Sequence, residues 1–572
     1  MAGQGSGIAD RLILGRVATL AGSSGFGWVE GIAIAGGRVL ASGSASELEP
    51  LAESRTEVWR LPPDLAVVPG ITDAHLHLAT AALAASQLDL SEVEGRDATL
   101  ARIREAHQAL ADAGDRHGWL LGHGWSLDRL GRWLTADNLE VAAPGRPIAL
   151  WAHDHHTRWV SRRALWIASI SSATPDPPGG LIRRDEYDVP TGMLHEGAAI
   201  LVDDAIPEPS APLVEAALTG YAATLAALGV TGVHDPGQLV DDVESSLGPW
   251  LYRDLAERDA LPLRVVASIR ERQLERAIAW GMRTGRMGGG GDGVPAGSTG
   301  RYRDGWLKLF ADGALGSRSA ALLVPYEPDD PAGPPVGGPS GMLLRAPDEL
   351  RRVAAIATAA GIAVQIHAIG DAAVRAALDV LAGLPRLSGP SHRVEHAQLI
   401  DPADVPRFAE LGVAASVQPC HLCSDTPIAR LAWGERTANA FPLRDLDATG
   451  ALIPFGTDAP VEPPDPWRGL AAAVTRSDPN WDPVVAPLHL EQALPVWRAL
   501  RAACLDPAQS LGAIDEGHLT AGAHADLLVV PAQGLDDPGP SGAGLASIRP
   551  LATLIDGTIV YRAPAFEPAS EH

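Results

Sequence analysis

Eight short apolar runs divide the middle of this chain, at residues 66–72, 229–234, 263–269, 306–311, 362–367, 392–396, 413–418 and 452–457. The longer stretches between most of them carry helical patterns. Alternation of this kind builds repeated β-α units around a parallel sheet. Eight units close a (β/α)8 TIM barrel, and that α/β fold class is what the spacing predicts, over residues 66–504. One interval breaks the rhythm. Well over a hundred residues separate the first run from the second, whereas a crossover needs only about 30. Residues 84–209 are therefore expected to form a large insertion over the barrel mouth. Residues 1–65 and 505–572 read as short strands, with turns at Gly36-Gly37 and Asp556-Gly557, and are expected to build one small β-sandwich from both termini.

Polar, chemistry-bearing side chains fall at the ends of several runs. His75 and His77 follow the first, in PGITDAHLHL. If the strand continues, alternate residues share a face, and the two imidazoles lie about 7 Å apart along it. Lys308 sits in the fourth run, His367 and His396 end the fifth and sixth, and Asp458 follows the eighth. Groups at those ends converge in a barrel. Each has a plain structural reading: a satisfied core histidine, an ion pair of Lys308 with Asp312 or Asp304, a helix N-cap at Asp458. Together they would be costly to bury unpaired, and a shared divalent metal, zinc or a similar ion, accounts for all of them.

Charge and cysteine content narrow the partners. Asp and Glu total 70 against 45 Lys and Arg, a formal net charge of -25. Such a chain is repelled by phosphate backbones and anionic membranes, so no nucleic-acid or membrane partner is expected. Three cysteines are too few for a disulfide framework, and Cys420 and Cys423 lack the second pair that a zinc knuckle needs. Residues 1–10 carry no signal-peptide pattern, and no apolar run is long enough to span a membrane. A cytoplasmic protein is the expectation. The glycine-rich stretch 285–300 has no Gly-Lys-Ser/Thr ending and reads as a connection rather than a phosphate loop. The insert holds Trp119, Trp125, Trp133, Trp151, Trp159 and Trp166, which either line a substrate pocket or form the insert's own core.

The motifs in order resemble the amidohydrolase superfamily, and more closely amidohydrolase family 3, the YtcJ-like metal-dependent hydrolases that include N-substituted formamide deformylases. The blocks are PGITDAHLHL, LKLFADGALGSRSAALLVPY, IHAIGDAAV, RVEHAQL, SVQPCH, FGTDAPVEPPDPW and EGHLTAGAHADLLVV. The resemblance implies one or two divalent metals. His75 and His77 would hold the first, His367 and His396 the second, and a carboxylated Lys308 would bridge them. Asp458 would ligate the first metal and handle the proton. If Lys308 stays a free amine, one metal is expected. Insert segments around Trp125, His156, Trp159 and Glu196 resemble family segments, with departures at His155, Ser161 and Arg162. Those four, with Asp312 and His421, are the candidate substrate contacts.

The expected chemistry is hydrolysis of a C–N bond, an amide or an N-acyl or N-formyl group, in a small molecule. A heterocycle deaminase, an ester or lactone hydrolase on the same centre, and a metal-free scaffold are the rivals. Related deaminases place a Glu three residues after the fifth-strand His, where this chain has Gly370. A homodimer is implied by resemblance alone.

Overall fold

The computed structural model describes residues 7–237, 247–287, 300–328, 335–480 and 486–571. Its centre is a curled sheet of seven parallel strands: β1 (Ile71–Asp73), β2 (Val230–Asp235), β3 (Arg264–Ile269), β4 (Tyr302–Phe310), β5 (Val364–Ala368), β6 (Arg393–His396) and β7 (Ala414–Ser416). They lie side by side in chain order. Helices such as Pro347–Ala359 and Asp371–Ala382 make the crossovers. Strands buried on both faces are largely apolar, and β3 and β5 have no exposed residue.

Two expectations need correction. The first run is two strands in two sheets. Leu65–Pro69 pairs with strands of the chain ends, and only Ile71–Asp73 joins the parallel sheet. The break falls at Gly70, where a Cβ would lie 2.3 Å from Thr231 Oγ1. The chain changes sheets where no side chain fits. The eighth run is not a ladder strand. Residues 452–457 make one parallel bridge, Val417 to Phe455. Pro454 has no N–H to donate, and its carbonyl accepts from Val417 N–H at 3.0 Å. On its other side the segment reaches the first strand's extension, where Ala74 N–H donates to the Phe455 carbonyl at 2.9 Å.

The chain ends meet in one nine-stranded mixed sheet. Arg11–Ala18 pairs with three neighbours, and the antiparallel pairing of Leu65–Pro69 with Leu527–Pro531 joins the two ends. Both expected turns form hairpins, with Gly36, Gly37, Asp556 and Gly557 all at positive φ.

Residues between the first two parallel strands form a six-stranded sheet of their own. Trp125 and Trp159 are buried in its core, with ring centroids 6.1 Å apart. Each indole N–H is used internally, on the carbonyls of Leu150 and Thr135 at 3.0 Å. The glycine-rich connection lies mostly outside the described residues. Among the described residues, no helix is long and apolar enough to cross a membrane.

The tight passage at Gly70 gives a test. Gly70→Val should destabilise the fold by about 1–3 kcal/mol, the usual cost of overpacking. Thermal unfolding should show the loss, and Thr231→Ala in the same chain should recover part of it.

Candidate metal centre

The loop after β1 is built around a carboxylate. Asp73 accepts from the backbone N–H of His75 at 3.1 Å and of Thr457 at 3.0 Å, and from Thr457 Oγ1 at 2.5 Å. This ties the first strand's exit to the segment carrying Asp458. His75 and His77 lie beyond the strand rather than on it, with ring centroids 5.5 Å apart.

Each of these imidazoles is held by its Nδ1. His75 Nδ1 lies 2.5 Å from Glu395 Oε2, and His77 Nδ1 lies 2.5 Å from the Gly237 carbonyl. Both partners only accept, so Nδ1 carries the proton and Nε2 presents a lone pair. The two Nε2 atoms face one carboxylate oxygen, Asp458 Oδ1, at 3.5 and 3.2 Å. Asp458 is buried, which pushes its carboxyl up. Proton-bearing forms of His77, His75 and His421 beside it would outweigh that and hold it at about 2. Burial drives His75, His367 and His396 well below the usual imidazole range, which favours the neutral, ligating form.

The second oxygen of Asp458 faces two more rings. His396 Nδ1 is 3.9 Å and His421 Nε2 3.6 Å from Oδ2. His421 starts the helix His421–Ala432. Its Nδ1 lies 3.1 Å from Gln398 Nε2, whose amide is oriented by Asp425 Oδ2 at 2.9 Å. A donating amide at Nδ1 leaves His421 with its proton on Nε2, facing Asp458 as a donor. His367, on β5, packs against His396 at a centroid distance of 4.4 Å, and its Nε2 is 3.2 Å from the Gly313 carbonyl.

Among the described residues, two three-ligand groups of the cleft come within metal-binding distance: His75, His77 and Asp458, then His396, His421 and Asp458; a third, Asp515, Glu516 and His524, lies elsewhere. Lys308 and His367 fall outside both. Lys308 is buried beside them on the cleft wall, and burial brings its amine down to about 7, with Glu395 opposing. His75 Nε2, His396 Nδ1 and Asp458 Oδ1 are buried without a hydrogen bond. Leaving such atoms unpaired costs about 1–3 kcal/mol each. A divalent cation is the partner this neutral-imidazole and carboxylate set fits.

The cleft has a volume of about 580 Å³. Of the six expected substrate contacts, His156 and His421 line it. Glu196 stands behind His156, bonded to its Nδ1 at 2.7 Å and accepting from Ser319 Oγ at 2.5 Å. Trp125 and Trp159 do not reach the cleft, because the insert sheet needs them as core. Nor does Asp312 line it. Its carboxylate is spent on the backbone N–H groups of Ala321, Ile369 and Gly370. Glu395 and Arg393 escaped sequence analysis. They are fully buried, 2.9 Å apart, and their signal was alternation: two charges flanking Val394 in a four-residue strand that ends on His396. His153, Asp154 and Gln398, from loops with no periodic signal, and Asp425, from the helix His421–Ala432, also line the cleft.

Backbone strain gathers here as well. Glu196, His396 and Asp458 have φ of 50°, 70° and 62°. Positive φ in residues other than glycine is sparsely populated and persists where the surroundings enforce it.

The profile of the amidohydrolase family matches residues 64–561, and the chain belongs to that family. It is 32% identical over 508 residues to YtcJ of Bacillus subtilis (strain 168), covering 86% of this chain and 88% of that one. It is 26% identical over 549 residues to the N-substituted formamide deformylase of Arthrobacter pascens, covering 93% and 95%. Among solved structures, an uncharacterized metal-dependent hydrolase from Pyrococcus horikoshii OT3 superposes with a TM-score of 0.69 at 26% identity, covering 92% of this chain and 98% of that one.

Two predictions follow from the geometry. Glu395→Gln should weaken metal binding by about 10–100-fold, the usual effect of losing a carboxylate behind a ligating histidine. Equilibrium dialysis against zinc would measure it. The second concerns His156: burial lowers its pKa, but Glu196, Asp154 and Asp312 raise it to about 9. A histidine raised above its unfolded value of about 6.5 stabilises fully below that pH and loses the contribution as pH rises through 9. Metal-free protein should therefore lose about 1–3 kcal/mol between pH 6.5 and 9.5 by chemical denaturation. Glu196→Gln should flatten that slope.

Proposed function

We propose that this chain is a metal-dependent hydrolase of C–N bonds in small molecules, acting on amides or N-acyl groups. The observation that carries this reading is Asp458 Oδ1, buried and unbonded between the Nε2 lone pairs of His75 and His77. In this reading those three residues hold one divalent cation, zinc by ligand chemistry. A second would lie toward His367 and His396, with a carboxylated Lys308 as the anionic bridge. As a free amine Lys308 cannot ligate, and one cation would then be bound. The catalytic body spans 66–504, with the 84–209 insert over its mouth and the 452–457 segment closing the curled sheet into a barrel. Residues 1–65 and 505–572 form the accompanying end unit.

When bound, the cation would supply Lewis acidity toward water and toward the substrate carbonyl. The protein's own groups do the rest. Asp458 is ionised at neutral pH, so it can accept the proton of the attacking water. It then returns that proton to the leaving nitrogen, because an amide anion is a very poor leaving group. His421 Nε2 faces Asp458 Oδ2 at 3.6 Å without a hydrogen bond. Burial of the whole set excludes bulk water and strengthens each of these interactions.

A deaminase would need an acid where Gly370 stands. A Cβ there would lie 2.0 Å from the Ala321 carbonyl oxygen. Asp371, the next residue, is turned to the backbone N–H of Leu323 at 2.8 Å. Ring-nitrogen protonation has no candidate at this position.

Asp458→Asn should lower kcat on a responsive amide by at least about 10²-fold, the usual share of a proton-transfer group. The melting temperature should stay within a few degrees. Turnover at the wild-type rate in this variant would refute the assignment. Amides, esters and lactones assayed side by side with chelated and zinc-reloaded protein would separate the C–N reading from its ester rival.

A further inference from the structure

Gln398 lines the cleft two residues beyond His396 and is 1% exposed. The chain turns sharply between them, with His396 and Ala397 at φ of 70° and 44°. The backbone is then fixed on both sides. Phe441 N–H donates to the Gln398 carbonyl at 2.6 Å, and Leu399 N–H to the Ile369 carbonyl at 3.0 Å. A side-chain amide offers two N–H donors and one oxygen. Gln398 Nε2 is engaged twice, by His421 Nδ1 at 3.1 Å and by Asp425 Oδ2 at 2.9 Å. A carboxylate accepts, so Asp425 turns the nitrogen toward itself and the oxygen away. Gln398 Oε1 is buried with no hydrogen-bond partner. Two other side chains of the cleft spend their donors elsewhere. Ser424 donates to the His421 carbonyl at 3.3 Å, and His153 Nε2 lies 3.2 Å from Glu462 Oε1.

This acceptor stands one imidazole ring from the proton-carrying carboxylate. His421 Nδ1 holds the Gln398 amide, and His421 Nε2 faces Asp458 Oδ2 at 3.6 Å. The leaving nitrogen has to reach Asp458, because it takes its proton there. Once hydroxide has added to the carbonyl, that nitrogen is pyramidal. It carries a lone pair and, in a secondary amide, one N–H. The lone pair takes the proton from Asp458, and the C–N bonding pair leaves with the nitrogen as the amine. The N–H points away from the lone pair and needs an acceptor of its own. Its hydrogen bond strengthens as the nitrogen gains positive charge, so it acts on the transition state.

We propose that Gln398 Oε1 accepts the N–H of the scissile amide, which makes the substrate a primary or secondary amide rather than a tertiary amide or an ester. This rests on the C–N hydrolase reading and narrows it. An ester has oxygen in place of the N–H, and binding one leaves Oε1 buried and unpaired. A site built to hydrogen-bond a donor rejects the analogue that lacks it for that reason.

The test offers N-benzylacetamide and benzyl acetate to zinc-loaded enzyme. The ester is intrinsically more reactive, so the quantity read is the change in the amide-to-ester ratio of kcat/KM between wild type and variants. Gln398→Met keeps the length and removes the acceptor, and should cut that ratio at least about tenfold. Gln398→Glu retains an oxygen at that place and should keep more of the ratio than Gln398→Met does. Equal loss on both substrates in folded Gln398→Met means that Gln398 only positions His421, and overturns the proposal. Calorimetry gives a readout without turnover. N-Benzyl methylphosphonamidate should bind wild type at least about tenfold more tightly than benzyl methylphosphonate, and Gln398→Met should abolish the difference. Equal binding of this pair to wild type overturns the proposal even where the variants do not fold. If the amide is not cleaved, the C–N reading fails, while a preference for the phosphonamidate still supports Oε1 as the acceptor of an N–H.

Discussion

Glu395 is buried completely, with Arg393 on one side and His75 on the other. A carboxylate in that position would be severely destabilising alone, because the interior offers little to replace its hydration. Arg393 neutralises it, and the same guanidinium also reaches the Ala74 carbonyl at 2.8 Å and the Ser416 hydroxyl. One cation thus gathers β6, β7 and the loop after β1. The Glu395 oxygen that remains fixes the His75 tautomer. Everything on the metal side of the cleft depends on that proton being on Nδ1. A ring flipped or protonated differently would present a donor to Asp458 where the site requires a lone pair.

A second constraint works through the backbone. Asp458, His396 and Glu196 adopt conformations that side-chain-bearing residues avoid. Each is held there by neighbours, such as the Asp458 N–H to the His75 carbonyl at 2.6 Å. The strained residues stand on three different segments, yet all aim into or just behind one cleft. Rigid elements behind them, the parallel sheet and the insert sheet, absorb the cost. This is the usual arrangement when a site must be held before its ligand arrives.

The sequence and the structure agree most closely where periodic signals were strong. Seven of the eight apolar runs contain strands of one parallel sheet, because a run buried on both faces leaves an unambiguous mark. The signal fails where local chemistry overrides hydrophobicity. Pro454 keeps the eighth segment from pairing as a strand, and at Gly70 one apolar run serves two sheets without any break in composition. The candidate site was legible in His75, His77, His396 and Asp458, each at or just beyond the end of an apolar run. Glu395 was visible only as a charge in the short strand Arg393–His396, and a charge in a strand reads equally well as an edge. Trp125 and Asp312 show the opposite failure. Both residue types suit substrate binding, but whether an indole or a carboxylate faces a cleft depends on long-range packing that spacing does not encode.

Pairing of Leu65–Pro69 with Leu527–Pro531 has a consequence for the order of assembly. The strand that leads directly into Gly70 and the His75 loop finds its antiparallel partner only near the far end of the chain. At ribosomal rates of about 5–20 residues per second, that partner emerges on the order of 20–90 s later. Throughout that interval the parallel sheet can grow, strand after strand, while the strand leading into its first member is paired only with Arg11–Ala18. The metal loop is thus among the first segments synthesised and among the last to be secured. A nascent chain of this kind spends most of its synthesis with His75 and His77 present but not yet locked in place.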